Sequence, residues 1–127
     1  MNYNEVKEKI NDINIENHIW IIYIVIIFAS WYSNSLERKY FLNNDIKCKE
    51  KYRNIIIKIF TILLIVYLYF FYSALADVNE LKPTDNLKKR KLTELSTIGS
   101  LCIVVSGIIF LYIAYMDQDI DVEIAFN

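Results

Sequence analysis

Few side chains of this chain are equipped for acid–base, redox or metal chemistry. Its 127 residues include one histidine, His18, and two cysteines, Cys48 and Cys102. One histidine supplies neither a pair of haem ligands nor a histidine-rich metal site. The long apolar segments contain no set of nucleophile, base and acid. The sequence therefore predicts that the protein is not an enzyme, that it uses no cofactor and that it holds no metal.

Three long segments contain no Asp, Glu, Lys or Arg. They cover residues 17–36, 59–76 and 95–116 and are 20, 18 and 22 residues long. Proteins that drive transport with a proton or cation gradient usually keep a carboxylate within the membrane, so the lack of acids disfavours that class. Lys58 precedes the second segment, and its ammonium can reach the membrane surface along a flexible stem. We therefore interpret Lys58 as an interface residue rather than as part of an anion path.

Small side chains recur along the third apolar segment at helical spacing. Four of them are separated by four, seven and seven residues, and two more flank them seven residues apart. Small residues let two helix backbones approach closely, and serine hydroxyls can donate hydrogen bonds across the gap. The pattern predicts a helix-packing seam against another membrane protein, another copy, or the other helices of the same chain. The seam consists of Ser96, Gly99, Ser100, Ser106, Gly107 and Ala114.

The C-terminal tail, residues 117–127, is acidic and contains no Lys or Arg. Within it, acidic and apolar side chains alternate with a period of two, which is typical of an extended strand. A strand of this kind can pair with the edge of a partner's sheet, whereas the simpler interpretation is a frayed tail. A calcium loop requires glycine at the position of Val122, so an EF-hand is excluded and only a loose cation site stays open. The candidate partner-binding residues are Asp119, Ile120, Asp121, Val122, Glu123 and Ile124.

Tyrosines crowd the second half of the second apolar segment. Tyr67 and Tyr69 lie deep enough in it to need hydrogen-bond partners for their hydroxyl groups. They are candidates for lining a ligand pocket, although packing between helices is the simpler interpretation.

Composition indicates which environment these segments need. Hydrophobic residues make up 55% of the chain and charged residues 23%, with a formal net charge of −1, and the mean hydropathy is +0.26. These values exclude a disordered chain, a disulfide scaffold and a basic nucleic-acid binder. A spanning helix needs about 20 apolar residues, and only helices and closed barrels satisfy their backbone groups in lipid. Because the segments are apolar on all faces, unlike barrel strands, they predict helices.

The predicted fold is all-α: a polytopic membrane protein with three transmembrane helices, arranged as an antiparallel bundle with short helical loops. A single membrane domain covers residues 1–127, with spans at about 17–36, 54–76 and 95–116. The second span begins at residue 54 because Lys58 can extend to the interface and add one helical turn to the apolar run.

The polar connections contain signals for helix ends. Asn4 is expected to cap a helix over residues 4–16, which is either a short amphipathic helix at the membrane surface or an extension of the first span. Asn43-Asn44-Asp45 predicts the turn between the first two spans. After the single proline, Thr84 or Asp85 is expected to cap the third helix.

The flanks of the spans bear on location and orientation. Residues 1–16 are acidic and no signal-peptide cleavage site follows the first span, so we expect that span to be retained. The abundance of Ile, Asn, Lys and Tyr matches A/T-rich codons, which favours a low-GC bacterium or its virus as the source. We expect the protein in the plasma (inner) membrane of such a bacterium. Basic residues number seven on each side when Lys58 is counted with the first loop. The basic C-terminal flank of the first span then favours an N-out, C-in orientation.

Two classes of function fit this architecture. The first is a non-enzymatic accessory or assembly component in the lipid bilayer, packing against itself as a homo-oligomer or against a larger membrane complex. The second is a self-assembling pore former of the holin, toxin or defence-effector type, which fits the small size and short loops. The acidic tail departs from the basic tail common among holins, and no clear polar stripe lines the spans. We therefore prefer the accessory class and expect no nucleic-acid partner.

Overall fold

The computed structural model describes residues 2–124 and shows three α-helices joined by short loops. Helix α1 spans Tyr3–Asn43, α2 spans Ile46–Asn79 and α3 spans Leu87–Met116. The described chain is therefore all-helical, and each of its three helices is long and apolar enough to cross a membrane. Met1 and residues 125–127, which belong to the predicted C-terminal tail, lie outside the described residues.

All three helices are longer than the apolar runs within them. Helix α1 has 41 residues, which at a rise of about 1.5 Å per residue gives a length of about 60 Å, twice the hydrocarbon thickness of a bilayer. Residues 4–16 are continuous with the first apolar run, so this segment is an extension of the first helix rather than a separate surface helix. Polar helical turns therefore continue each helix beyond its apolar run.

The first loop forms where the sequence predicts it. Asn44 adopts a left-handed backbone with φ 54° and ends α1, with its N–H donating to the carbonyl of Tyr40. Asparagine tolerates this conformation better than most residues because its side chain bonds locally. The Asp45 carboxylate then accepts hydrogen bonds from the amides of Lys47 and Cys48 at 3.1 and 3.4 Å and begins α2.

The predicted N-terminal caps of α1 and α3 are each displaced along the chain. Asn2, not Asn4, caps α1 through a reciprocal capping box, in which Glu5 donates its amide to Asn2 at 2.9 Å. Asn86 caps α3 by accepting a hydrogen bond from the Lys89 amide at 2.7 Å. The expected cap Asp85 instead accepts the amide of Lys82 at 2.7 Å within the loop. Several neighbouring polar residues can cap a helix, and the turn geometry selects among them.

Helix α2 lies between the other two helices and packs against both. At its beginning, the Arg53 Nη2 donates to the carbonyl of Tyr115 near the end of α3 at 3.1 Å. At its end, the carbonyl of Ala74 accepts a hydrogen bond from the Thr97 hydroxyl near the beginning of α3 at 3.3 Å. No Cα atom of α1 comes within 8 Å of one in α3 over the described chain. The helices therefore form a layer rather than a closed triangle.

A buried core lies near the loop between α1 and α2. A buried cluster there combines side chains of all three helices and the tail: Leu36, Tyr52, Ile56, Ile59, Phe60, Ala114 and Ile124. On α1, Ser33 is fully buried three residues before Leu36, and its hydroxyl donates to the carbonyl of Ser30 at 2.7 Å. The small side chain and its internal hydrogen bond allow α1 to pack closely here without an unsatisfied polar group.

Most of the apolar surface points away from this core. Ile27 on α1 is 64% exposed, Ile65 on α2 is 62% exposed and Ile98 on α3 is 57% exposed. A water-soluble monomer rarely exposes contiguous apolar patches of more than a few hundred Å². Three apolar helices that expose such side chains along their middles are compatible with a multi-pass membrane protein.

Candidate functional site

The layered arrangement leaves one face of α2 uncovered between α1 and α3. An open cavity of about 520 Å³ lies on this face, and we name it the interhelical cleft. Each helix contributes one stripe to its wall, including Trp20 and Tyr23 from α1, Tyr67 and Phe70 from α2, and Ser100 from α3. The cleft forms because the backbones of α1 and α3 each approach α2 closely but do not approach each other over the described residues.

The lining of the interhelical cleft changes from charged to apolar along the helices. Glu16 and Asp77 lie at the end nearest the N-terminal segment and the second loop. Tyr23 follows Glu16 by seven residues on α1, which places it about 10 Å further along the helix axis. Ile103 lies at the corresponding depth on α3, seven residues beyond Ser96. The cleft thus combines an acidic mouth with an aromatic and aliphatic interior.

Neither carboxylate at the mouth is neutralised by a neighbour. The side chains of Glu16 and Asp77 form no hydrogen bond or ion pair with any other residue between 2 and 124. A shallower cleft of about 460 Å³ continues towards the second loop, shares Asp77, and is lined there by Lys88 and Lys89. Lys89 is paired with Asp85 at 3.2 Å. The lining residues of the interhelical cleft itself carry negative charge only.

The helix-packing seam is divided between two faces of α3. Gly107 and Ala114 are buried against α2, and a Cβ atom at Gly107 would lie 3.0 Å from Tyr67 Cδ2. Ser96 and Ser100 line the interhelical cleft. Gly99 and Ser106 lie on the exposed surface of α3. Adjacent helical residues point about 100° apart, so residues 99 and 100 cannot share one packing face.

Sequence reasoning missed the pattern that describes the contact with α2 best. Buried and half-buried residues of α3 alternate at spacings of three and four, which is the signature of helices packed side by side. We name this the inner stripe, and it consists of Thr97, Ser100, Val104, Gly107, Leu111 and Ala114. A search for small residues alone omits Thr97, Val104 and Leu111, although the spacing includes them.

A second stripe with the same spacing runs along the opposite, exposed side of α3. We name this the outer stripe, and it consists of Leu95, Gly99, Cys102, Ser106 and Ile109. At about 100° per residue, the outer stripe faces a direction more than about 90° away from the direction that the inner stripe faces. A Cβ atom at Gly99 would meet nothing within 4 Å, so no described part of the chain packs on this glycine.

The C-terminal tail folds back as a turn over residues 117–124. The Asp117 carboxylate accepts the amides of Asp121 and Val122 at 3.0 and 2.8 Å, and Ile120 adopts a left-handed backbone with φ 56°. Over residues 119–123 the described chain has this turn instead of the extended strand that the alternation allowed, and pairing with a partner's sheet stays a prediction. The alternation of the sequence does not show that a nearby carboxylate competes with strand pairing for the backbone amides.

Contacts with α2 hold this turn in place. Ile120 packs against the buried cluster, and Ile124 belongs to it with 8% exposure. Asp119 pairs with Lys49 at 3.0 Å, although its side chain is 75% exposed, and an exposed pair of this kind contributes little to stability. Of the six predicted partner-binding residues, Ile120 and Ile124 thus face the chain itself, while Asp119, Asp121, Val122 and Glu123 are exposed.

The pKa values of Glu37 and Cys48 reflect their surroundings near the first loop and the tail. Partial burial, followed by the charge of Glu123, raises the pKa of Glu37. Burial, followed by a hydrogen bond to Asp45, raises the pKa of the Cys48 thiol, whose Sγ lies 3.4 Å from Asp45 Oδ2. A raised pKa keeps Cys48 protonated and poorly nucleophilic.

The other chemistry-bearing residues are isolated from one another. His18 is exposed, and its Nδ1 lies 2.7 Å from the carbonyl of Asn14 one turn earlier. Cys102 is exposed on the outer stripe. Between residues 2 and 124, no three His, Cys, Asp or Glu side chains are grouped to hold a metal ion.

Comparisons of the chain with protein-family models, with curated proteins and with solved structures found no match.

Proposed function

We propose that this chain is a non-enzymatic accessory or assembly component of a membrane, which packs in the bilayer against another copy or a larger membrane complex. The outer stripe is the observation that carries the proposal. It places Gly99, Cys102 and Ser106 on an exposed helix face. Since apolar surface gains little by leaving lipid, small residues that permit close backbone contact are what drives helices to associate there.

The proposal includes three membrane spans in an antiparallel bundle. The lengths and composition of α1, α2 and α3 support three spans. The contacts of Arg53 with Tyr115, and of Thr97 with Ala74, support opposite directions for α2 and α3. We further propose the plasma membrane of a low-GC bacterium with an N-out, C-in orientation, which the basic residues Arg38 and Lys39 after the first apolar run support.

Two leucine substitutions on α3 test the outer stripe. Gly99→Leu is expected to abolish assembly while the monomer keeps its fold, because position 99 has open space around it. Val105→Leu, at an exposed position outside both stripes, is the control and is expected to leave assembly unchanged. Crosslinking in native membranes, followed by sizing in mild detergent, measures the assembled fraction.

The result that opposes the proposal is equal assembly of the Gly99→Leu variant and the unmodified chain. Loss of assembly in the Val105→Leu variant as well would show that any added bulk on α3 disrupts it, and the outer stripe would then have no special part.

A further inference from the structure

The interhelical cleft has a property that helix packing alone does not require. It is an open volume of about 520 Å³ whose charged lining residues, Glu16 and Asp77, are both acidic. Their carboxylates have no ion-pair partner over residues 2–124. Both residues are exposed at the mouth. A cleft that carries charge of one sign and has apolar walls focuses the electric field and attracts an occupant of the opposite charge.

Aromatic rings stand next to this acidic mouth. Trp20 lies one helical turn after Glu16, and its ring contacts that of Tyr23 edge-on with centroids 5.6 Å apart. Tyr67 and Phe70 form the floor of the cleft on α2. Aromatic faces attract cations, and tryptophan does so best. A combination of carboxylates and aromatic rings is the chemistry that recognises amines and quaternary ammonium groups.

Beyond the rings, the cleft is lined by groups suited to a hydrocarbon chain. Ile103 lies deepest on α3, within the apolar run of residues 95–116. An occupant with a charged head and an apolar tail would therefore place its head at the level of Glu16, where the first apolar run begins. Its tail would follow the same direction as the acyl chains of a surrounding bilayer.

We propose that the interhelical cleft binds an amphiphile whose head carries a positively charged amine or quaternary ammonium group. The head lies between Glu16 and Asp77 against Trp20, and the tail extends past Tyr67 towards Ile103. The inference rests on the three spans of the proposed function but not on its partner, since the cleft and the outer stripe are on different faces of α3. An anionic head is disfavoured because Lys88 and Lys89 line the shallower cleft and not this one.

Trp20 provides a direct reporter of occupancy. The chain has two tryptophans, so the Trp31→Phe variant leaves Trp20 as the single emitter. The probe is a hexadecyl quaternary ammonium amphiphile with a nitroxide beside its head, added to the purified full chain in uncharged dodecyl maltoside micelles. A hexadecyl sulfonate with the same nitroxide measures quenching that does not depend on a positive head.

We expect saturable quenching of Trp20 by the cationic amphiphile, at a lower concentration than the sulfonate requires. The Glu16→Gln/Asp77→Asn double variant should weaken the apparent affinity about fivefold, the effect expected for two partly exposed ion pairs. Asp12→Asn/Glu80→Gln removes the same charge near the same end of the molecule without changing the lining, and should leave the affinity unchanged. Circular dichroism and elution volume confirm that each variant is folded.

Other outcomes overturn the inference. Equal quenching by both amphiphiles would show that the cleft does not select a cation and would favour a partner helix as its occupant. Equal losses of affinity in the two double variants would show that the effect comes from net charge and not from the lining of the cleft. Displacement of the probe by tetramethylammonium alone would show a site for a small cation rather than for an amphiphile.

In the Trp20→Phe variant, Trp31 at the opposite end should show only the unsaturable quenching of the micelle.

Discussion

At the scale of single residues, Gly107 shows how closely α2 and α3 approach. A Cβ atom at this position would lie 3.0 Å from Tyr67 Cδ2 and 3.4 Å from Leu64 Cδ1. A distance of 3.0 Å is shorter than ordinary van der Waals contact, so the ring of Tyr67 occupies the space that a side chain would need. Packing, and not backbone conformation, therefore favours glycine here, since the structure places it inside a helix.

Gly107→Leu is expected to destabilise the bundle by about 1–3 kcal/mol, because added carbon atoms must displace Tyr67 and Leu64. Val105→Leu is the control, since it enlarges a side chain of the same helix at an exposed position outside both stripes. Thermal unfolding in mild detergent, followed by circular dichroism, measures the difference. Similar melting temperatures for the two variants would contradict the close contact at Gly107.

The fold disfavours the ionised form of Glu37. Partial burial is the main cause of its raised pKa, and the nearby carboxylate of Glu123 in the tail adds to it. A carboxyl group whose pKa is raised on folding stabilises the folded state fully below its ordinary pKa. That contribution is lost as the pH rises through the raised folded value. The contribution of Glu37 is therefore expected to hold the docked tail more firmly in weakly acidic solution than at neutral pH.

Glu37→Gln is expected to slow hydrogen exchange of the Val122 amide at neutral pH, because it removes both the burial cost and the repulsion from Glu123. The same variant should also lose part of the pH dependence of that exchange. Glu50→Gln, an exposed position on α2, removes the same charge and serves as the control. Faster exchange in the Glu37→Gln variant would mean that the ionised carboxylate instead supports the tail.

At the scale of elements, the sequence predicts the three helices but not their ends or their faces. The apolar runs that start at residues 17, 59 and 95 all lie inside helices, because hydrophobic length alone identifies them. The caps of α1 and α3 were each misplaced, since Asn2 and Asn86 compete with equally suitable neighbours. The sequence does not show which face of α3 meets α2. Because small residues occur on both faces, it could not predict that the seam residues are divided between them.

The turn at the start of the tail depends on one carboxylate. Asp117 accepts two backbone amides, so Asp117→Ala is expected to release residues 118–124 from the bundle, at a cost of about 1 kcal/mol for each lost hydrogen bond. Hydrogen exchange of the Val122 amide should accelerate accordingly. Asp121→Ala, which removes the same charge from an exposed side chain, should leave the exchange rate nearly unchanged. Equal acceleration in both variants would attribute the effect to net charge.

At the scale of the whole molecule, the arrangement of the helices gives two separate surfaces. The inner stripe and the buried cluster join α2 to its neighbours, while the outer stripe and the interhelical cleft remain open. The cleft was not predicted as a site, although Tyr67 was a candidate for lining a pocket. A cavity between helices depends on their relative positions, and hydrophobic periodicity within one helix does not contain that information.

The central claim is that the chain crosses the membrane three times, and labelling of single cysteines in intact cells tests it most directly. The Cys48→Ser/Cys102→Ser chain carries either Thr84→Cys in the second loop or Asn43→Cys at the end of α1, beside the first loop. A membrane-impermeant maleimide should label the Thr84→Cys variant from outside, whereas the Asn43→Cys variant should react only after the cells are opened. The opposite assignment would reverse the orientation but keep three spans, and labelling of both variants from the same side of an intact membrane would contradict the three-span account.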